Sequence, residues 1–438
     1  MSRKKSVKKK SEMEIVEESS INADEIPFKI PDNWKWIKLG NILKIARGGS
    51  PRPIKKYLTD SEDGINWIKI SDADKNGKYI NYTKEKIIKE GISRSRFVHC
   101  GDFLLTNSMS FGRPYILNTD GCIHDGWLVL SKYDLCYNKD FLFYLLSSQF
   151  AYRQFSSMAT GSVVKNLSTD KVENSIFPLP PLEEQKLIVE KIESEFQKID
   201  EALTKLNIIK EQIKQYKQSV LKYAFDENNS FAKGSNYEPY EWEKKILNDV
   251  TIKINDGTHK TPTYTKNGIP FISVKDIYNK EIHFDDCKYI SEEEHNILYK
   301  RCNPEKGDVL ITKSGTIGRT AVINIDTIFS LFVSVALLKP NTNIINSYYL
   351  MYSLDNYILN IDIKQNVKGG VIKNLHIEDL KMIKIKLPSI ELQKNIADNI
   401  QNIFEKIDNI QNNINQNIDK LNILKQAILK KAFEGKLI

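Results

Sequence analysis

The segment GDFLLTNSMSFGR, residues 101–113, returns as GDVLITKSGTIGR, residues 307–319, at an offset of 206. GSVVKNL, from Gly161, returns as GGVIKNL, from Gly369, at an offset of 208. The longer offset also carries Pro180 onto Pro388, Gln185 onto Gln393, FQKID (196–200) onto FEKID (404–408) and LKYAF (221–225) onto LKKAF (429–433). Upstream, Trp34 in DNWKWIKLGNI matches Trp242 in YEWEKKILNDV, and GINWIKI (64–70) matches GIPFISV (268–274). A duplication that spans most of a chain restricts its architecture more than any local pattern, because both halves must satisfy one fold.

Each half has two parts. The first shows short β-rich runs broken by Gly, Asp and Asn turns, then one amphipathic helix, about 139–158 in the first copy and 347–363 in the second, before a Gly turn. The second part opens with prolines and acidic residues, Pro180, Pro181, Glu183 and Glu184 in one copy and Pro388 and Glu391 in the other, which marks a helix start. In the second copy Ile396, Ile400, Ile403, Ile407, Ile410, Ile414, Ile418, Leu421, Leu424 and Ile428 advance in steps of three and four. The first follows less regularly, from Ile188 and Ile192 through Phe196, Ile199, Leu203 and Ile213 to Val220. Helices of about 40 residues are about 60 Å long. A narrow apolar seam along each predicts a coiled coil, and the duplicate helix is the economical partner. The expected fold class is α+β: two mixed α/β globular domains joined by two long antiparallel coiled-coil helices in a pseudo-two-fold internal repeat. The expected boundaries are a tail at 1–25, globular segments at 26–179 and 230–387, and helices at 180–229 and 388–438.

With 438 residues, 41% of them hydrophobic, the chain can give each domain its own core. No run approaches the ~18 apolar residues of a membrane helix, and the basic start has no apolar stretch behind it, so a cytoplasmic protein is expected. Cys100, Cys122, Cys136, Cys287 and Cys302 form no CxxC and read as reduced thiols. The net charge is +8, of which residues 1–30, 183–226 and 388–438 carry +1, −1 and +1. The remaining +7 lies on the globular segments, which suits a polyanionic partner there and also suits an ordinary solvated surface.

The motifs of common enzymes do not fit. Asp170, Glu184 and Lys186 mimic a metal-dependent nuclease, but Glu184 and Lys186 stand at a helix start and the second copy has Leu392 in place of Glu184. GTIGRT, residues 315–320, is too short for a phosphate-binding loop. LPPL, residues 179–182, lacks the amide or acid that an amino-methyltransferase places before its prolines. His99, Cys100, Cys122 and His124 have no counterparts in the second copy and no zinc-site spacing. No catalytic or metal-binding residue is assigned.

Recognition remains. Reading a base edge takes side chains with fixed donors and acceptors, and holding a duplex takes cations and hydroxyls facing phosphates. The repeated turns offer Thr106, Asn107, Ser108, Ser110 and Arg113 against Thr312, Lys313, Ser314, Thr316 and Arg319, and the Gly turn offers Lys165 and Asn166 against Lys373 and Asn374. Repetition fits folding as well as contact. Where the copies differ, Arg47, Ser50 and Arg52 stand against His259 and Lys260, and Arg94 and Arg96 against Lys300 and Arg301. Readers of two different sequences need such differences, although each of these cations also serves as a solvated loop residue.

The order of these motifs resembles the specificity subunits of Type I restriction-modification systems. The features that carry the resemblance are IPDNWKWIKLG at residues 30–40, the GD-[FV]-L-[LI]-T…G-R element in each half, the Gly turn before KNL, LPPLEEQKLI and LPSIELQKNI opening the helices, and LKKAFEGKLI at the end. It covers the chain from about residue 25 onward. The resemblance implies two target recognition domains, each binding one half of a split sequence in double-stranded DNA, spaced by the helices. It also implies two docked methylation subunits that bind S-adenosylmethionine and methylate adenine, and restriction subunits that use ATP and Mg²⁺. None of those cofactors or activities would belong to this chain.

Overall fold

The computed structural model describes residues 21, 23–75, 77–107, 112–158, 166–226, 242–366 and 374–438. It separates into two units, one comprising the chain up to Lys205 together with Gln416–Ile438, the other Leu206–Asn415.

In the first unit the buried run Phe103–Thr106 lies inside a five-stranded sheet, between Trp127–Ser131 and Pro114–Leu117, with Lys44–Arg47 and Tyr79–Ile80 outermost. Successive side chains of a strand face opposite sides, and here both sides are covered. Phe103 and Leu105 face helices through Phe141, Leu145 and Phe155, while Leu104 joins Ile68, Ile123 and Trp127 beneath a second five-stranded sheet. The second unit repeats the arrangement with fewer strands. Val309 and Ile311 face Tyr349, Leu350 and Leu354, and Leu310 faces Ile272, Phe329 and Leu331. In both units a two-stranded ribbon ties the entry to the strand before the long helix, pairing Lys35 with Leu179 and Glu243 with Leu387.

The helix expected over 139–158 is two helices, Lys139–Leu146 and Gln149–Met158. Two serines cause the break: Ser147 and Ser148 turn their hydroxyls back onto the carbonyls of Phe143 and Leu145, and Ser148 Oγ then accepts the Ala151 N–H. The second copy has no such pair, and Ser347–Asn366 runs unbroken.

The long helices are Leu182–Ala224, 43 residues, and Ile390–Phe433, 44 residues. Within the first unit, Ile188, Ile192 and Ile199 share a core with Ile428, Leu429 and Phe433, and Lys425 pairs with Asp200 at 2.5 Å. Within the second, Leu221 and Ala224 meet Leu392, Ile396 and Ile400, and Lys217 pairs with Asp408. Rising numbers on one helix meet falling numbers on the other, so the pairing is antiparallel. An offset of 208 turns Asp200 into Asp408 and Lys217 into Lys425, so each pair is the other with the copies exchanged. The same holds for Tyr144 against Phe196 and Tyr352 against Phe404, and for Phe433 against Phe141 and Phe225 against Tyr349.

Each long helix starts on a buried glutamine. Gln185 accepts the Asn138 N–H at 2.8 Å and donates to the carbonyls of Cys136 and Pro180 at 2.9 and 2.8 Å. Gln393 accepts from Asn346 at 2.9 Å and donates to Ile344 and Pro388 at 3.0 and 2.9 Å. Glu184 is engaged by Trp34 Nε1 and Asn33 Nδ2, both at 2.9 Å, and Lys186 by Glu183. Glu184 and Lys186 of the nuclease-like trio are thus part of a helix start, and Asp170 lies in the separate helix Thr169–Asn174.

Candidate nucleic-acid interface

The repeated GD…T…GR element builds the same loop frame in both units. Gly101 and Gly307, at φ +94° and +93°, donate to the carbonyls of Leu117 and Ile323, each at 2.8 Å. Thr106 Oγ1 accepts the Arg113 N–H at 3.0 Å and Thr312 Oγ1 accepts the Arg319 N–H at 2.9 Å. Gly48 and Gly257 donate to the carbonyls of Trp127 and Val335. Asn107 and Lys313 each donate to the residue before those, Gly126 and Ser334, and accept from Leu167 and Leu375. These bonds place Arg47 opposite Asp256 in the frame, Asn107 opposite Lys313 and Asn166 opposite Asn374.

In the first unit, Arg47, Lys69, Asn107, His124, Asp125 and Asn166 line an open depression of about 370 Å³. Asp125 organises it. Its carboxylate takes the Ser50 hydroxyl at 2.7 Å and the Arg52 guanidinium at 3.7 Å, while its carbonyl takes Arg47 Nε at 3.1 Å and Asn107 Nδ2 at 2.7 Å. The Ser50 bond is the chief reason its carboxyl sits below the usual range. His124 Nδ1 accepts the Gly126 N–H at 2.6 Å, and burial lowers the ring's pKa, only partly offset by Asp125. The neutral ring therefore carries its proton on Nε2. Arg96 Nε donates to the Arg47 carbonyl at 2.9 Å.

At the matching place in the second unit a buried carboxylate replaces Arg47. Asp256 meets Arg301 Nη2 at 2.7 Å, Lys313 Nζ at 2.8 Å and His259 Nε2 at 3.2 Å. Burial raises its pKa, but Lys313 and His259 outweigh that and hold it below the usual range.

Arg47, Ser50, Arg52, Arg96 and Asn166 thus gather in one unit, and His259 and Arg301 in the other. Other candidates stand apart from these clusters. Arg94 lies over the Tyr57 ring and Arg113 over Tyr115. Arg319 Nη1 donates to the carbonyls of Val274 and Ile277, which ties down its loop. Lys260 and Lys300 are exposed, Ser314 bridges to the Asn374 backbone, and the Thr316 carbonyl accepts Thr312 Oγ1. Ser108, Ser110, Lys165 and Lys373 lie outside the described residues. Sequence reasoning missed Asp125 and Asp256. An acidic residue is an unlikely choice for a polyanion-binding face, and only the partners supplied by distant strands reveal its use.

Among the described residues no three or more His, Cys, Asp or Glu form a possible metal site, and no helix is long and apolar enough to cross a membrane. The model of the Type I restriction modification DNA specificity domain matches residues 31–215 and again 239–420. The chain is 28% identical to the EcoBI specificity subunit of Escherichia coli, over 94% of this chain and 87% of that one. In fold it is similar to a chain from a type I R-M system solved in a study of complex assembly and conformational transition, with a TM-score of 0.72, 22% identity, and coverage of 94% of this chain and 100% of that one. The HsdS subunit of Thermoanaerobacter tengcongensis gives a TM-score of 0.55 at 24% identity, covering 94% of this chain and 99% of that one.

Proposed function

The chain belongs to the Type I restriction modification DNA specificity family, and on that basis we propose that it supplies the bipartite DNA target of a restriction-modification complex. Residues 26–179 read one half-site in double-stranded DNA and residues 230–387 the other. The long helices set the gap between the half-sites and dock methylation subunits, two per chain, one for each copy of the repeat. Restriction subunits join that core, and S-adenosylmethionine, ATP and Mg²⁺ act on those partners. This chain recognises DNA and performs no chemistry on it, in the cytoplasm where its target lies.

One observation supports this reading above the others: the backbone frame is repeated while the polar groups mounted on it are exchanged. Arg47 and Asn107 occupy the positions of Asp256 and Lys313, on matching backbone hydrogen bonds. Two readers of unlike sequences require a shared scaffold and different donors and acceptors. The test is footprinting of duplex DNA by the full chain with its methylation subunit. Protection of one split sequence that excess RNA does not compete away is the expected result. Uniform protection of any duplex, or displacement by RNA, would favour a general nucleic-acid scaffold.

A further inference from the structure

The Asp256 cluster has a chemistry of its own. Asp256 ends the strand Thr251–Asp256, its side chain is 5% exposed, and its carboxylate is turned toward Arg301, Lys313 and His259. It has little capacity left to accept from a cytosine amine. What the cluster presents outward is the donors of Arg301, whose side chain is 57% exposed. Arg301 is also held from several sides. Its N–H donates to the Leu298 carbonyl at 3.1 Å, and its own carbonyl accepts Lys253 Nζ at 2.7 Å and Asn255 Nδ2. Asp256 grips it through Nη2, and a guanidinium has five N–H donors in a planar fork. A fork fixed at its backbone and at one nitrogen is oriented before any ligand arrives.

The first unit contrasts with this. Arg96 rests on a carbonyl, that of Arg47, and the deeper position is Asn107, an amide with both donor and acceptor capacity.

We infer that, given the DNA-reading role above, Arg301 recognises a guanine edge in the half-site of the second globular segment, with Asp256 as its positioning residue. Guanine alone presents two acceptors, N7 and O6, side by side in the major groove, and a planar fork of donors matches them. A phosphate would attract the same cation, and the two are separable by experiment.

The test selects duplexes from a randomised pool with the full chain and its methylation subunit, for the wild type and for Arg301→Gln, Arg301→Lys and Asp256→Asn. The wild type selects two defined blocks. Arg301→Gln relaxes a guanine at one position of one block by about tenfold or more and leaves the other block intact, which also reports a folded chain. Arg301→Lys keeps a weaker guanine preference, and Asp256→Asn relaxes the same position. A wild type that selects no split sequence defeats the functional reading itself. If the wild type selects two blocks, three outcomes overturn the guanine assignment alone: unchanged base preferences in Arg301→Gln, equal loss in both blocks, or uniform weakening with a salt slope smaller by about one, as a phosphate contact gives.

Discussion

At the scale of single residues, the shared positions are structural, and of the exchanged ones Arg47 is exposed while Asn107 and Asp256 are buried and hold polar neighbours in place. Gln185 and Gln393 are fully buried, and each satisfies three backbone groups where a long helix meets its globular segment. Gln185→Ala strands those groups, so it should cost about 3 kcal/mol, measured as a lower midpoint of urea unfolding, with DNA preference unchanged in the folded fraction. The sequence showed that these glutamines repeat but not what they hold, since two of the three partners of each lie 47 to 49 residues away. His124 gives a pH dependence of known sign. Burial lowers its pKa below the ordinary 6.5, so below that pH the unfolded chain takes up a proton that the folded one resists. Wild-type stability should therefore fall as pH drops through 6.5 toward the folded-state pKa, and it should fall less steeply in His124→Gln. Equal slopes for the two proteins across pH 7.5 to 5.5 would contradict the assignment. Asp125 and Asp256 were not legible, because a carboxylate among cations is recognised only once the fold brings Ser50, Arg301 or Lys313 to it.

At the scale of elements, the long helices were the most legible part of the chain. Their apolar steps of three and four, proline starts and acidic first turns predict two long helices, and the structure has long helices at Leu182–Ala224 and Ile390–Phe433. The break at Ser147 and Ser148 escaped because the apolar pattern continues across it, and two hydroxyls decide the matter locally. The helix ends do more than the exposed ion pairs. Phe433, 1% exposed, fills the core beside Phe141, whereas Asp200, paired with Lys425, keeps 59% of its side chain exposed. Phe433→Ala should destabilise the first unit by about 3–5 kcal/mol and Lys425→Ala by less than about 1 kcal/mol. Hydrogen exchange resolved by unit distinguishes these outcomes, and equal effects would contradict the packing account. If the helices set the spacer, removing one whole turn from both should shorten the gap the complex tolerates and leave both half-sites unchanged. An unaltered gap in a methylation assay would remove the helices from that role.

At the scale of the whole molecule, the duplication is a division of labour. What recurs at the offset of 208, Tyr144 and Tyr352, Phe196 and Phe404, Phe225 and Phe433, builds the cores and the helix pairing. What differs, Arg47 against Asp256 and Asn107 against Lys313, sits on a common frame, and in the first unit Arg47 and Asn107 line an open depression. Self-comparison of the sequence exposed the two phenylalanine pairs of the first class, in FQKID and FEKID and in LKYAF and LKKAF. The second was legible in part: the repeated turn already sets Asn107 against Lys313, and the backbone hydrogen bonds add Arg47 against Asp256, where the loop residues share nothing. The proposed arrangement is one reader for each half-site. The most direct test replaces residues 26–179 by a second copy of residues 230–387 and maps the adenines methylated by the hybrid with its methylation subunit. One original block should vanish and the other should appear twice across a gap. Persistence of both original blocks, or a folded hybrid that methylates no split sequence, would contradict it.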